Sequence, residues 1–257
     1  MLTERTIWGV IPNGFRKLTN GRGSHLVVRE DRAAEIDFSV CSEQPLGVRH
    51  LRYQGRGPLE AIRLRDGETA LVRRYRHGGL LRALTGGCFF SWPPRPFREL
   101  AITEELRRRG FRTVEVYAAC VQRLSGPFYR GCLVTRELPD AKDLWAALQD
   151  DLAGRGTLRA VLKATAETLR DMHREGVYHS DLNLKNLLVR FRGEGVDSYV
   201  IDFDKAKLFL GGLPQPLAQK NLNRLRRSAL KLDPEQRYLS AASWSEFLKF
   251  YHGDGDS

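Results

Sequence analysis

Two short stretches restrict what this chain can fold into. His179-Ser180-Asp181-Leu182-Asn183-Leu184-Lys185-Asn186 reads H-x-D-x-x-x-x-N, and Asp202-Phe203-Asp204 follows sixteen residues after Asn186. Between them lie the apolar run Leu187-Leu188-Val189, the turn-rich Gly193-Glu194-Gly195-Val196-Asp197, and the apolar Tyr199-Val200-Ile201. Two apolar runs around such a turn make a β-hairpin. Its first strand would leave the 181–186 loop and its second would deliver Asp202. One metal ion at the end of that hairpin would touch both Asn186 and Asp202.

The spacing suits phosphoryl transfer, in which one carboxylate orients the attacking hydroxyl while an Asn and a second Asp hold Mg²⁺. Asp181 is expected in the first role, with His179 and Lys185 beside it in the catalytic loop and His179 supporting that loop rather than reacting. Asn186 and Asp202 are the expected metal ligands, with Asp204 as a further metal candidate. The competing reading is an Asp/Asn-rich loop beside an ordinary strand turn, since these residues favour turns. An isolated H-x-D would leave that reading ahead. The full octapeptide, the hairpin and the second Asp together displace it.

A chain of 257 residues, 42% of them hydrophobic, is enough for one large domain or two lobes around a core. No run approaches the roughly twenty apolar residues of a membrane-spanning helix. The first ten residues lack a charged-then-apolar signal pattern, so the chain reads as cytoplasmic. Cys41, Cys88, Cys120 and Cys132 form no C-x-x-C pair; reduced, mostly buried thiols are expected rather than a zinc or redox site. The net charge of +11 favours polyanions such as nucleic acid, anionic lipid or phosphorylated substrates.

Along the chain, Ser24 to Arg29 reads as a strand, Asp31 to Val40 as a short helix and Leu46 to Tyr53 as a strand. Gln54-Gly55-Arg56-Gly57-Pro58 then precedes a strand, the Asp66-Gly67 turn, and a second strand from Glu68 to Tyr75. A turn with Gly55 and Gly57 can lay its backbone over phosphates; alone it reads first as a plain turn, and its place ahead of a strand carrying an inward base raises the phosphate reading. Arg73 stands where a kinase carries a strand lysine for the α- and β-phosphates. The alternative leaves it a surface residue. Leu80 to Leu84 reads as a short helix, and the aromatic, Pro-rich Cys88 to Phe97 as a loop, either a binding lid or a packed connection. Phe97 to Gly110 reads as a helix with Leu100, Thr103 and Leu106 on one stripe. On it, Glu99 is the expected partner of Arg73, while Glu104 and Glu105 are expected as exposed charges. Strands follow at Thr113 to Val121 and Gly131 to Thr135. Arg136 to Asp140 suits a hinge, where Glu137 and Leu138 would offer backbone groups to a purine edge. Helices are expected over 141–152, 157–175, 217–232 and 244–251, with His173 capping or packing.

Several segments carry a resemblance to a known family. Arg74-Tyr75-Arg76-His77-Gly78-Gly79-Leu80, Arg95-Pro96-Phe97-Arg98-Glu99, the two motifs above and Asn221-Leu222-Asn223-Arg224-Leu225-Arg226-Arg227-Ser228 resemble the bacterial lipopolysaccharide core kinases, above all those acting on 3-deoxy-D-manno-octulosonic acid (Kdo). The resemblance runs from about Gly55 to Lys231. It implies an α+β, two-lobed protein-kinase-like fold, with an N-terminal lobe over 1–135 and a compact C-terminal lobe over 136–257. It implies ATP and Mg²⁺, and phosphorylation of a Kdo hydroxyl at the cytoplasmic face of the inner membrane. The partner would be Kdo–lipid A or a related anionic glycolipid, gathered by Arg73 to His77 and Arg224 to Arg227, with peripheral membrane association and no nucleic acid. Arg73 for Lys, Asp204 for the Gly of D-F-G, and the missing A-P-E segment depart from protein kinases. The alternatives are a heptose kinase of the same family, a small atypical protein kinase, and a nucleotide- or RNA-binding pseudokinase.

Overall fold

The computed structural model of the chain describes residues 4–5, 10–42, 50–51, 59–76, 88–151, 157–193 and 195–253. Its strands run in chain order β1 (Glu4–Arg5), β2 (Phe15–Thr19), β3 (Ser24–Arg29), β4 (His50–Leu51), β5 (Leu59–Arg63), β6 (Thr69–Arg74), β7 (Val116–Arg123), β8 (Tyr129–Arg136), β9 (Ala141–Asp143), β10 (Val177–Tyr178), β11 (Leu187–Arg192), β12 (Gly195–Val200) and β13 (Lys207–Phe209). The helices are α1 (Arg95–Arg108), α2 (Leu144–Asp151), α3 (Leu158–Arg174), α4 (Gln215–Leu232) and α5 (Ala241–His252). The chain divides into two compact units: one of Met1–Thr6, Arg108–Thr113 and Leu138–Ser257, the other of Ile7–Arg107 and Val114–Glu137.

The second of these units is built on a seven-stranded antiparallel sheet in the order β2-β3-β7-β8-β6-β5-β4. Its central strands alternate between two buried faces, as a sheet covered on both sides must. Leu26, Val28, Ala118, Cys120, Cys132 and Val134 point to one face, with Ile36 and Val40 from the covering segment. Val27, Ala119, Val121 and Leu133 point to the other, where Leu100 of α1 packs. A register shift between Val116 and Ala118 lets Tyr117 join the Ala118 face. Gly131 is required by packing, because a Cβ there would lie 2.6 Å from Pro96 Cγ and 2.7 Å from Cys120 O.

The unit ending at Ser257 holds the sheets β12-β11-β9 and β1-β13-β10 and the helices α2 to α5. Helix α3 runs through it, burying Val161, Leu162, Leu169 and Met172 on one face and packing on α5 and β12. It ends at Glu175 as C-cap, and Gly176 continues in the left-handed region at φ 79°. A Cβ at Gly176 would also collide with Phe209 O, so only glycine fits.

Several expectations need correction. The helix expected over 31–40 is two 3₁₀ turns, Glu30–Arg32 and Phe38–Cys41. Asp37 is extended and its carboxylate takes the Ser39 N–H at 2.8 Å, starting a new turn instead of continuing a helix. The helix expected from Ala141 starts at Leu144. Residues 141–143 pair with β11 instead, and Asp143 Oδ1 caps α2 through the Ala146 N–H at 2.9 Å. Helix α1 begins at Arg95, inside the expected loop, and admits Pro96 in its first turn. Cys41 and Cys120 are not reduced thiols but a disulfide, with Cα atoms 5.7 Å apart. The sheet carries Cys120 to the Phe38–Cys41 turn across 79 residues, which no C-x-x-C spacing could signal. Cys132 stays free and buried, and burial pushes its pKa up to about 12. Glu104 is not an exposed helical charge. It is largely buried, accepts the Val116 N–H at 3.2 Å and pairs with Arg107 at 3.3 Å, and burial raises its pKa. Gly55, Gly57, most of the strand expected over 46–53, and the helix expected over 80–84 lie outside the described residues.

Candidate active site

The catalytic-loop motif is held by local chemistry in the unit that ends at Ser257. The β11–β12 hairpin aligns Leu187 with Val200, and the Ile201 N–H donates to Asn186 O at 3.0 Å. Asn186 therefore faces Ile201 across the hairpin's end, and Asp202 is the next residue along. Two further bonds tie the loop to the turn after the hairpin. His179 Nε2 bonds Ile201 O at 3.0 Å, and Ser180 Oγ donates to Lys205 O at 2.8 Å.

Asp181 is fixed by its backbone. Its N–H donates to His179 Nδ1 at 3.2 Å, and its carbonyl accepts from Asn183 Nδ2 at 2.8 Å and Asn186 Nδ2 at 2.9 Å. The residue itself is exposed. A carboxylate on a backbone anchored at three points, open to solvent, is placed for a hydroxyl that arrives from outside.

His179 is buried and its two ring nitrogens are both occupied, Nε2–H donating to Ile201 and Nδ1 accepting from Asp181. Burial holds its pKa below that of an ordinary histidine, against the raising effects of the Ile201 carbonyl and the Asp202 and Asp181 charges. A neutral imidazole in this tautomer can tie the loop to the strand end, and it has no nitrogen left for a reacting group. Both ring nitrogens of His179 are thus spent on holding the loop. Phe203, fully buried, wedges its ring against His179 at 5.4 Å and Phe111 at 6.4 Å, anchoring the residue between the two aspartates. Lys185 is half-buried in the short 3₁₀ turn Leu184–Asn186, whose N-cap is Asn183.

Asp202 stands at φ 71°, a left-handed conformation that is uncommon outside glycine. Strain of this kind costs of order 1–3 kcal/mol and concentrates at functional sites. The Asn186 side chain donates through Nδ2 to Asp181, which directs its Oδ1 to the opposite side. Its donor set with Asp202 and the buried Asp204 is all oxygen, which fits Mg²⁺ rather than a soft metal. Among the described residues no three His, Cys, Asp or Glu side chains converge as a metal cage. A magnesium ion shared with nucleotide phosphates needs only one or two carboxylates.

The sequence reading missed the residue that holds this loop from behind. Asn221 of α4 is fully buried. Its Nδ2 donates to His179 O at 2.7 Å, and its Oδ1 accepts from His179 N at 3.1 Å and faces His173 Nε2 at 3.3 Å. One turn short of the helix end, Ser228 Oγ accepts the Leu184 N–H at 3.3 Å. Helix α4 thus clamps the loop at both ends through polar side chains on its buried face. His173 completes the set, its Nδ1 bonded to Tyr251 OH at 2.7 Å, and burial lowers its pKa to about 4. It packs, as expected. Asn221→Ala would leave the buried His179 N–H unpaired, at about 1–3 kcal/mol, and its carbonyl with only the Leu182 N–H at 3.4 Å. The expected outcome is a lower urea midpoint together with a fall in kcat at near-constant KM for nucleotide. Asn221→Asp, which keeps the acceptor and loses the donor, should be intermediate in both measurements, and unchanged kcat in both variants would refute the clamp.

In the other unit, Arg73 on β6 is ion-paired with Glu99 on α1, and Tyr75 OH donates to the same Glu99 oxygen. The Arg73 guanidinium also lies over the Tyr75 ring, 4.8 Å from its centroid. Glu99 has only 3% of its side chain exposed, whereas Arg73 has 29%. The carboxylate is a buried anchor and the guanidinium its partly open end. Glu99→Gln keeps the shape and removes the charge. We expect it to raise KM for ATP and lower kcat/KM by about tenfold or more, equivalent to roughly 1.4 kcal/mol of transition-state stabilisation. Unaltered kinetics in a variant with wild-type thermal stability would show the pair to be structural only.

Other predicted site residues are less concentrated. The Glu137 N–H donates to Thr69 O at 2.8 Å, and Leu138 O accepts from the Ala141 N–H at 3.2 Å. Arg74, expected with the acceptor-gathering cluster, is not available to it. Its guanidinium is spent on Glu60 at 2.8 Å and Val40 O at 2.9 Å, with 14% of the side chain exposed. On α4, Arg226 and Arg227 are exposed, Arg224 is half-buried, and Arg226 lies 5.9 Å from the Trp244 ring centroid.

Residues 49–251 match the model of the lipopolysaccharide kinase (Kdo/WaaP) family. The chain belongs to that family. It is accordingly a phosphotransferase. A 3-deoxy-D-manno-octulosonic acid kinase of Pasteurella multocida is 31% identical over 204 residues, 77% of this chain and 82% of that protein. A protein of the same name from Xanthomonas oryzae pv. oryzae is 32% identical over 218 residues, 82% of this chain and 83% of its own. A solved structure titled "WaaP in complex with acyl carrier protein" aligns over 81% of this chain and 79% of its own, with TM-score 0.53 and 22% identity, and shares the mixed α and β fold. Both motif regions and Arg73 fall inside the matched span of the family.

Proposed function

We propose that this chain is an ATP-dependent kinase that phosphorylates a Kdo hydroxyl of the lipopolysaccharide inner core. The observation that carries the chemistry is the three-point anchoring of the Asp181 backbone beneath an exposed carboxylate. In this reading the family's kinase fold has its two lobes in the two compact units. Asp181 accepts the proton of the sugar hydroxyl as its oxygen bonds to the γ-phosphorus, and the bond from that phosphorus to ADP breaks. Arg73, oriented by Glu99, holds the nucleotide phosphates, and the Glu137–Leu138 segment meets the base. Asn186 and Asp202, with Asp204 nearby, would hold Mg²⁺, which when bound screens the phosphate charge.

The acceptor is Kdo–lipid A or a similar anionic glycolipid, because the relatives that match most of the chain are Kdo kinases. The net charge of +11 suits such an acceptor and a peripheral place on the cytoplasmic face of the inner membrane. Among the described residues no helix is long and apolar enough to cross a membrane. Incubation of the pure protein with γ-labelled ATP and Kdo–lipid A, or with a general protein substrate, tests the reading. Label is expected in the glycolipid. Label in protein alone would remove the glycolipid while leaving the kinase chemistry.

A further inference from the structure

One end of the seven-stranded sheet carries a feature that phosphoryl transfer does not use. Phe89 and Tyr129 bond each other in both directions, N–H to O at 2.7 and 2.9 Å, and both are buried. This bridge brings the 88–94 loop beside the β7–β8 turn. The neighbours on each side face outward. Phe90 is 73% exposed and Phe128 50%, with ring centroids 6.2 Å apart. Trp92 is 85% exposed and Leu124 41%. Phe90 and Trp92 also border a cavity of about 150 Å³ whose wall includes Arg123. Single exposed apolar residues need no explanation, but four large ones on two adjoining turns form a patch.

Among the described residues, the segments that form this end of the sheet carry charge of one sign. Residues 15–29, 88–98 and 116–136 contain no Asp or Glu. Lys17, Arg22 and Arg123 are exposed, and the Arg123 N–H bonds Gly23 O at 3.0 Å, joining the β2–β3 turn to the same end. Aromatic side chains at loop tips suit the boundary between headgroup and acyl chain, where Trp concentrates. Cations beside them suit anionic headgroups, each attracting within a Debye length of about 8 Å.

We propose that this end of the sheet is a membrane-docking face, with Phe90, Trp92, Leu124 and Phe128 entering the interface of an anionic bilayer and Lys17, Arg22 and Arg123 on its headgroups. A bilayer accepts an apolar tip without a matched pattern of hydrogen bonds, and an acid-free cationic surround matches its charge. The inference rests on the lipid-acceptor reading above and names the surface that reading requires.

Full-length protein is sedimented with phosphatidylcholine vesicles, with and without phosphatidylglycerol and with no glycolipid present. Wild type is expected to bind the anionic vesicles with a blue shift of Trp emission, and Trp92→Phe should lose most of that shift. Combined Phe90→Ser, Trp92→Ser and Phe128→Ser should weaken binding by about tenfold or more at constant salt. Trp92→Ser alone, a change at an almost fully exposed position, gives the same direction if the triple variant folds poorly. Combined Lys17→Gln, Arg22→Gln and Arg123→Gln should remove the preference for phosphatidylglycerol. All variants should keep wild-type turnover on a delipidated Kdo oligosaccharide, so loss of docking is separable from loss of the kinase reading. Equal sedimentation of the serine variants and wild type would overturn the proposal. So would a wild-type protein that binds no vesicle and instead holds a protein partner through Trp92.

Discussion

Asp181→Asn is expected to lower kcat by roughly 10²–10⁴-fold, the usual contribution of a positioned general base, while nucleotide affinity changes little. The reason is the division of labour within one residue. The main chain of Asp181 carries the structure, through the His179 ring and the amides of Asn183 and Asn186. Its side chain, on an exposed residue, is the one to which the proposed function gives the proton. Asparagine preserves the first and cannot accept the proton. ADP release reports turnover, and titration with a non-hydrolysable ATP analogue reports binding. Turnover within a few-fold of wild type would remove Asp181 from the role. His179→Gln makes a useful contrast, because a positioning residue acts through the loop. It should lose stability as well as kcat, since it unties Ile201 and the Asp181 N–H together.

The parts legible in the sequence were those whose causes are local. The hairpin over 187–200 follows from two apolar runs around a glycine turn, and α3 from its 3.6-residue stripe and Gly176. The Arg73–Glu99 pair could be read because Arg73 stands where a kinase carries its strand lysine, and that cation pairs with a helix acid. Tyr75, which donates to the same carboxylate, could not, since its hydroxyl finds Glu99 only once α1 has packed. The features that escaped depend on long-range register. Ala141–Asp143 has no strand signal of its own and becomes one because β11 presents an edge. The Cys41–Cys120 disulfide depends on how the central sheet is stacked.

Asn221 escaped for a different reason. In the sequence it stands only as the first residue of the Asn221–Ser228 segment that carries the family resemblance, with no role of its own. The available signal was its place on the buried stripe, three residues after Ala218 and four before Leu225, both of them buried. A polar residue on an apolar stripe must find partners inside, and here they are the backbone of the catalytic loop. The same segment therefore has two faces with different work. Asn221 and Ser228 hold the loop, while Arg226 and Arg227 stand in solvent.

Asp202 separates charge from backbone strain in a way that can be measured. Replacing it with alanine is expected to abolish Mg²⁺-dependent nucleotide binding, because the triphosphate charge then loses its metal-bound counterweight in the protein. Alanine at φ 71° would also be strained, so reduced stability alone could mimic that loss. Asparagine resolves the ambiguity, since it tolerates the left-handed region better than most residues and offers a neutral oxygen of nearly the same reach. Asp202→Asn should thus unfold close to the wild-type temperature while its nucleotide affinity becomes nearly independent of Mg²⁺. Nucleotide titrations with and without Mg²⁺, set beside thermal unfolding of the same samples, make the comparison. Wild-type Mg²⁺ dependence in a well-folded Asp202→Asn would assign the metal to other ligands, and the strained backbone at Asp202 would then need a different explanation.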